Sequence, residues 1–517
     1  MKVEWKKLMF GLAIGAGMMM MASCSDEENF DPGGSPGKEV PEPTEKAFLS
    51  MRLSTGSLAG TRVAVDPTTS GRTEEQVVNH VRMVLYETKN NTVRYSWDLN
   101  VSTDGVNEFT GGDVVRGEDV PSATVSRFVT VGREVVKQDY ELLILINPPG
   151  ELLEITEQGN PRSYLSRAAN MTKESLIQPY GIAADNNFYM TNHQDLIFVP
   201  EVELKDNQRM AEENPVRVEV ERAVAKVVVS GVPEVVPHGD RIDNLKWGLD
   251  VTNQYTYWMR KMTFIANSGG VPGEMEQLNS GYREERYAED PNFTGFSAWN
   301  GGNPAGQFEY LSGTPELTKD FDDYDYTLEN TMEAVEQRHD VTTRVVISGT
   351  YTPNGFGSVA TRNSGGISFY YFKGNAIRVE AMRDMVNDRN LIPQELRDAG
   401  LEQAINDVLA WNPNAFNSPT ASFSVGGLNF YYEGVCYYTV LIRHFSNNMV
   451  PVLMGYGRYG VVRNNVYQLS INKIIGPGQP VINPPGTDPD DEDTSWISAD
   501  VNIMRWYIRN QNVEELL

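Results

Sequence analysis

Cysteine is nearly missing from this chain: Cys24 and Cys436 are the two in 517 residues. If Cys24 is otherwise engaged, a disulfide framework is excluded. Histidine is almost as scarce, and His80, His193, His238, His339 and His444 lie far apart with no HxxxH spacing. With no CxxC either, no zinc site can be argued, and neither a metal nor a cofactor is expected. Basic charge is in deficit, with 44 Lys plus Arg against 70 Asp plus Glu and a formal net charge of −26. So acidic a surface repels phosphates, which excludes nucleic acid as a partner. HExxH is absent, and Cys436 lies inside the apolar run VCYYTVLI (Val435 to Ile442), where it reads as core rather than nucleophile. An enzyme is therefore not expected.

Long apolar runs are lacking too. The run Leu8 to Met21 falls short of the roughly 20 apolar residues of a spanning helix. It follows Lys2, Lys6 and Lys7 and leads into Met21-Ala22-Ser23-Cys24. A basic start, a short apolar stretch and small residues are the pattern of a signal peptide over residues 1–23. The cysteine at its end resembles the lipobox of exported lipoproteins, which carry lipid on the new N-terminal cysteine, here Cys24. Residues Asp31 to Glu45, rich in Gly, Pro and Glu, cannot build a core and read as a tether.

From Ala47 onward, short apolar or alternating runs are separated by Gly, Asn, Asp and Pro. Val81 to Tyr86 (VRMVLY), Leu142 to Ile146 (LLILI), Val216 to Val229 (VRVEVERAVAKVVV) and Val466 to Ile474 (VYQLSINKI) are examples. β-Branched and aromatic residues bounded by turn formers predict strands, and so many strands predict a mainly β protein of sandwich domains. Helical spacing is confined to Arg72 to Val81, Ser163 to Asn170 and Pro393 to Val408. The break VPEVVPHGD (Val232 to Asp240) divides an N-terminal domain at 63–235 from a C-terminal domain at 236–478. Asp320 to Tyr326 (DFDDYDY) lacks the Gly-containing spacing of a calcium loop and reads as a solvated acidic loop.

Two isolated alternating segments stand at the extremes of this folded region. Ala47, Leu49, Met51 and Leu53 form one apolar row, and Ile497, Ala499, Val501 and Ile503 form the other. Period-two alternation places each row on one face of a strand, as a strand lying in a hydrophobic groove requires. The second row, in residues 479–517, lies beyond Gly476 to Asp493, a stretch with five prolines and a run of acids that should be extended and free of the core. A strand beyond such a linker must fold back, stay exposed or enter another molecule. Since an exposed apolar strand aggregates, insertion into another molecule is the more economical expectation. After the first row comes Gly56-Ser57-Leu58-Ala59-Gly60-Thr61-Arg62, small residues ending in a base, which suits a protease that cuts after arginine.

The chain resembles the major fimbrial subunits of Bacteroidales type V pili, the fimbrillin family. The resemblance rests on Cys24, on Thr61-Arg62 before Val63, and on Asn79 to Tyr86, Val220 to Val227 and Trp247 to Asn253. It continues through Gly434 to His444 and Gly457 to Gly478, where a strand, an RNN turn and a closing GPG occur together. It implies two tandem transthyretin-like β-sandwich domains with a C-terminal donor strand. It also implies a precursor lipidated on Cys24 (palmitate) at the outer membrane, whose propeptide 24–62 is removed between Arg62 and Val63 by an arginine-specific protease. Arg52 and Arg72 are competing positions. Loss of the first strand (Ala47, Leu49, Met51, Leu53) would open a groove for the donor strand (Ile497, Ala499, Val501, Ile503) of another copy or another fimbrial subunit. The product would be an extracellular fimbrium serving adhesion and biofilm formation. The alternative is a monomeric surface lipoprotein that binds glycan on Trp258, Trp299 or Tyr310. It predicts that the C-terminal segment packs on its own chain and that the lipid is kept.

Overall fold

The run VRVEVERAVAKVVV supplies a strand to each of two sheets, Val216–Arg222 to the first and Ala225–Ser230 to the second. Val218 and Val220 enter one hydrophobic core, while Val227 and Val229 enter another. The change of sheet falls at Ala223-Val224, ahead of the Val232–Asp240 break, and Glu234–Val236 still pairs with Lys473–Ile475 of the second sheet. The structure is a computed structural model. It describes residues 45–55, 68–69, 71–75, 77–100, 127–179, 181–193, 195–264, 286–296, 306–333, 336–357, 366–444, 459–490 and 497–506.

The first sheet has eight strands. Its order is Val93–Asn100, His80–Glu87, Tyr140–Ile146, Met190–Asn192, Val216–Arg222, Met51–Thr55 and Arg127–Val129, with Ile197–Val199 also on Tyr140–Ile146. Residues Val81 to Tyr86 and Leu142 to Ile146 are buried without interruption, which explains why these runs do not alternate: both faces of the sheet are covered. Arg82, inside the first run, is tolerated because Asp98 accepts from its Nε and Nη2 at 2.6 and 2.7 Å.

In the second half of the chain, two sheets face each other across one core. One sheet runs Tyr324–Thr327, Ala225–Ser230, Asn465–Ile475, Ile497–Trp506 and Thr68–Thr69, and the other runs Arg241–Asp250, Arg344–Thr352 and Val435–Leu441. Leu469 and Ile471 from the first meet Trp247, Val345, Ile347 and Cys436 from the second. The fold is thus mainly β, of sandwich type, as the sequence leads one to expect. Between Arg344–Thr352 and Val435–Leu441 lies an inserted module. Its four-stranded sheet carries helices Val379–Asn387, Gln394–Asp398 and Leu401–Trp411 on a core of its own around Tyr370, Ile405, Val408 and Phe430. The expected Pro393–Val408 helix is broken at Gly400, whose φ of 93° ends one helix before the next begins. Among the described residues of Arg72 to Val81 there is a short 3-10 turn, Thr73–Glu75, before the strand that starts at His80.

Candidate assembly site: the two terminal strands

The leading strand comes in two pieces with a corner at Ser50. Lys46–Leu49 pairs antiparallel with Arg133–Val136. Met51–Thr55 then lies between Val216–Arg222, parallel, and Arg127–Val129, antiparallel. Three hydrogen bonds fasten the corner: the Ser50 hydroxyl donates to the Thr130 carbonyl (2.6 Å), the Met51 amide to the Thr130 hydroxyl (2.9 Å), and the Val216 amide to the Ser50 carbonyl (2.9 Å). On the far side of the first piece, Phe48 exchanges both backbone hydrogen bonds with Lys205. Ala47, Leu49, Met51 and Leu53 are all within 2% of full burial and belong to the first core. Three large side chains buried in this way contribute roughly 1.5–3 kcal/mol each.

The C-terminal strand Ile497–Trp506 lies antiparallel on Asn465–Ile475 of its own chain, from Ile474↔Ile497 to Asn465↔Arg505, with a bulge between Ile471 and Lys473. Among the described residues, its other edge meets only Thr68–Thr69, opposite Arg505 and Trp506. Ile497 is buried, whereas Ala499 and Val501 are only half-buried against the second core. The strand folds back in cis, because Asn465–Ile475 offers it a free edge within the same chain.

The linker before it is not free of the core. Its opening GPG packs onto tyrosines: the Tyr438 hydroxyl donates to the Gly476 carbonyl (2.8 Å) and that of Tyr431 to the Gly478 carbonyl (2.7 Å). A Cβ on Gly478, at φ +57°, would stand 2.4 Å from the Tyr437 carbonyl oxygen, so this approach needs glycine. Downstream, Gln479 and Tyr437 exchange backbone hydrogen bonds, as do Ile482 and Gly313. Proline removes donors but leaves every carbonyl able to accept, so a proline-rich segment can still be stitched down.

Where the chain passes from one sandwich to the other, charges are buried. Glu75 is fully buried and accepts from Lys226 Nζ (2.7 Å), the Tyr326 hydroxyl (2.5 Å) and the Arg72 amide (2.8 Å), while the Arg222 guanidinium donates to its carbonyl. Burial alone would raise the Glu75 carboxyl, but the Lys226 charge and these donors hold it below its ordinary value. The RNN turn completes the crossover. Arg463 pairs with Glu329 (3.0 Å), and Asn464, in the left-handed region, accepts from the Arg222 amide and donates its own amide to the Val224 carbonyl. Sequence reading missed Glu75, Arg222, Lys226, Glu329 and Arg463, since no short motif joins them.

Among the residues singled out from the sequence, Ala47, Leu49, Met51 and Leu53 share one core. Ile497, Ala499 and Val501 line the inner face of the C-terminal strand, and Ile503 lies opposite Tyr467 in its register. Cys24, Arg62 and Val63 lie outside the described residues, as does Trp299. Arg52 is paired within the first sheet, opposite Arg217 and Val129. The Arg72 guanidinium is tied to Glu75 and Asp185 and lies 4.2 Å from the centre of the Tyr324 ring. Trp258 is buried, and the Tyr310 hydroxyl donates to the Asp340 carbonyl. The expected solvated acidic loop holds over 320–323, where Asp320 accepts from Lys246 at 2.6 Å, but Tyr324–Thr327 is a strand in which Asp325 and Tyr326 are buried. Burial pushes the Cys436 thiol up to about 12, as expected of a core residue.

A family model described as major fimbrial subunit protein (FimA) matches residues 47–222. A second, described as major fimbrial subunit protein type IV, fimbrillin, C-terminal, matches residues 429–512. No curated protein matches the chain. Among solved structures, a fimbrilin from Porphyromonas gingivalis is similar at 14% identity and a TM-score of 0.42, covering 90% of this chain and 99% of that one. The tip fimbrial protein Mfa3 of the same organism, with a C-terminal truncation, is similar at 11% identity and a TM-score of 0.33, covering 89% of this chain and 100% of that one. The two family models together take in about half of the chain, including nearly all of the leading strand and the whole C-terminal strand, and the chain belongs to the fimbrillin family of major fimbrial subunits.

Proposed function

We propose that this fimbrial subunit is a stalk component that polymerises by strand exchange after proteolysis. The precursor is exported with lipid on Cys24 and held at the outer membrane. An arginine-specific protease cuts between Arg62 and Val63 and releases the leading strand with its anchor. The vacated groove then takes the C-terminal strand of another copy or of another fimbrial subunit. The linkage is head-to-tail and does not close, so it propagates into an extracellular filament that supports adhesion and biofilm formation.

The observation that carries this reading is the unequal seating of the two terminal strands. The leading strand has neighbours on both edges and a fully buried apolar row, so its loss leaves a groove with unpaired backbone and an open core. The C-terminal strand has an alternating row of its own, is half-buried, and has one long neighbour. It can leave at lower cost than the leading strand. Before a groove exists, resting in cis keeps its apolar row from aggregating. Arg52 lies inside a paired strand and the Arg72 side chain is tied to Glu75 and Asp185, so neither is readily offered to a protease, and Arg62 is the cut position we propose. The glycan alternative predicts the packing of Ile497–Trp506 on its own chain, but it loses Trp258 to the core and the Tyr310 hydroxyl to Asp340.

The test is to treat the full-length protein with an arginine-specific protease and run it unheated on a denaturing gel. A ladder that disappears in Arg62→Ala and in Val501→Asp supports the reading. Cut protein that stays monomeric sinks it.

A further inference from the structure

We propose that the segment Gly476–Asp490 is a strap that stays on its own subunit during strand exchange, so that the donor arm begins only beyond Asp490. This rests on the exchange reading above. Within the strap, Gly476 and Gly478 accept from the Tyr438 and Tyr431 hydroxyls, and Gln479 and Ile482 each make a reciprocal backbone pair, with Tyr437 and Gly313. Ile482 is buried with Leu317, Val346 and Tyr437. At the far end, the His339 amide donates to the Asp488 carbonyl (3.1 Å) and the Asp490 amide to the Gln337 carbonyl (3.2 Å). The buried Asp490 carboxylate accepts from the Thr342 hydroxyl at 2.6 Å.

These ties differ in kind from those of the strand that follows. The C-terminal strand is held by one long neighbour, whereas the strap is fastened to three separate stretches of the second sandwich: 313–317, 337–342 and 431–438. Among the described residues, none of these strap partners belongs to the leading strand or to the strands beside it, so release of that strand leaves the ties named above in place. Peeling the strand exposes Ile497 and the half-buried Ala499 and Val501; peeling the strap as well would uncover Ile482 and break the reciprocal backbone pairs of Gln479 and Ile482 and the buried Thr342–Asp490 hydrogen bond. The cheaper opening stops at Asp490. The strap therefore fixes the point from which the arm departs, and with it the distance at which a second copy's groove can be reached.

Two cysteine pairs in the full-length protein, cut after Arg62, separate the possibilities. Arg338 and Pro489 face each other between the two flanking hydrogen bonds, the closer kind of antiparallel pair, so Arg338→Cys with Pro489→Cys locks the strap. Ser470→Cys with Asp500→Cys locks the strand. The expected result is an undiminished ladder from the oxidised strap lock and loss of the ladder from the oxidised strand lock, restored by reductant. A strap lock that loses its ladder when oxidised and regains it when reduced overturns the proposal. Should either variant misfold, hydrogen exchange on the unmodified protein decides: the amides of Gln479, Ile482 and Asp490 keep their protection from cut monomer to ladder, and faster exchange there in the ladder overturns it. Unmodified cut protein that never forms a ladder removes the exchange reading and the strap with it.

Discussion

The two terminal strands have the same alternating pattern and opposite structural commitments. Ala47, Leu49, Met51 and Leu53 are sealed in a core between two neighbouring strands, whereas Ile497, Ala499 and Val501 become less buried along a strand with one long neighbour. Alternation specifies a face, but burial is decided by what lies on the second edge and on the opposite sheet. The contrast suits a subunit that gives up one strand by covalent cutting and lends the other reversibly. Under the proposed exchange, the first strand would leave by a cut, and the second would be lent by giving up its pairing with Asn465–Ile475.

Removing side chains from the two rows should break the symmetry of the pattern most visibly. In the uncut chain, Met51→Ala and Leu53→Ala should each cost about 2–5 kcal/mol, as large-to-small changes in a closed core do. Val501→Ala should cost no more than about 1 kcal/mol, as a half-buried position does. Urea unfolding of the three variants measures this, and equal losses would erase the distinction between the strands.

The Glu75 network holds the chain on the body side of the cut and sharpens the comparison from there. Glu75→Gln strands Lys226 in the interior and should cost about 3 kcal/mol, read from the same unfolding curves. Because the folded Glu75 carboxyl lies below its ordinary 4.5, its contribution is present above that value and is lost as pH falls through the folded value. The acid limb of a stability–pH profile should therefore flatten in Glu75→Gln. A variant with an unchanged acid limb would show that the network does not hold this junction.

Smaller effects concern the monomer's tail. Val501→Asp should change the melting of uncut protein only slightly, since the side chain can turn partly to water, yet it should remove the ladder from cut protein. Backbone exchange should follow the same order, with the Met51–Thr55 amides protected longer than those of Ile497–Trp506. Equal protection in the monomer would mean that the C-terminal strand is as firmly seated as the leading one.

Much of this was legible in the sequence, for identifiable reasons. Both alternating rows, the strand character of Val216 to Val229 and the sandwich class follow from side-chain periodicity, which is a local property, whereas the change of sheet within that run does not. The strap was not legible, because Gly476, Gln479 and Ile482 are held mainly through backbone groups, and proline content predicts only a lack of donors. The buried charges were hidden for a different reason: Glu75, Arg222, Lys226 and Tyr326 meet only after the first and second sheets are assembled. Of the inserted module, the sequence showed the helical stretch Pro393 to Val408 and the strand-like run Phe423 to Tyr432, but not that they form one unit. The strands Phe369–Phe372 and Leu428–Tyr431, which form the sheet beneath its helices, are separated by the whole helical stretch.

The most direct test of exchange between copies mixes two incomplete subunits. One is Arg62→Ala, uncut, with its C-terminal strand intact and its groove filled. The other is cut after Arg62 and lacks residues 495–517, so that it has a groove and no strand. The account predicts one heat-labile dimer band from the mixture, no longer species, and only monomers from either protein alone. Monomers throughout, or a ladder from either partner by itself, would contradict it.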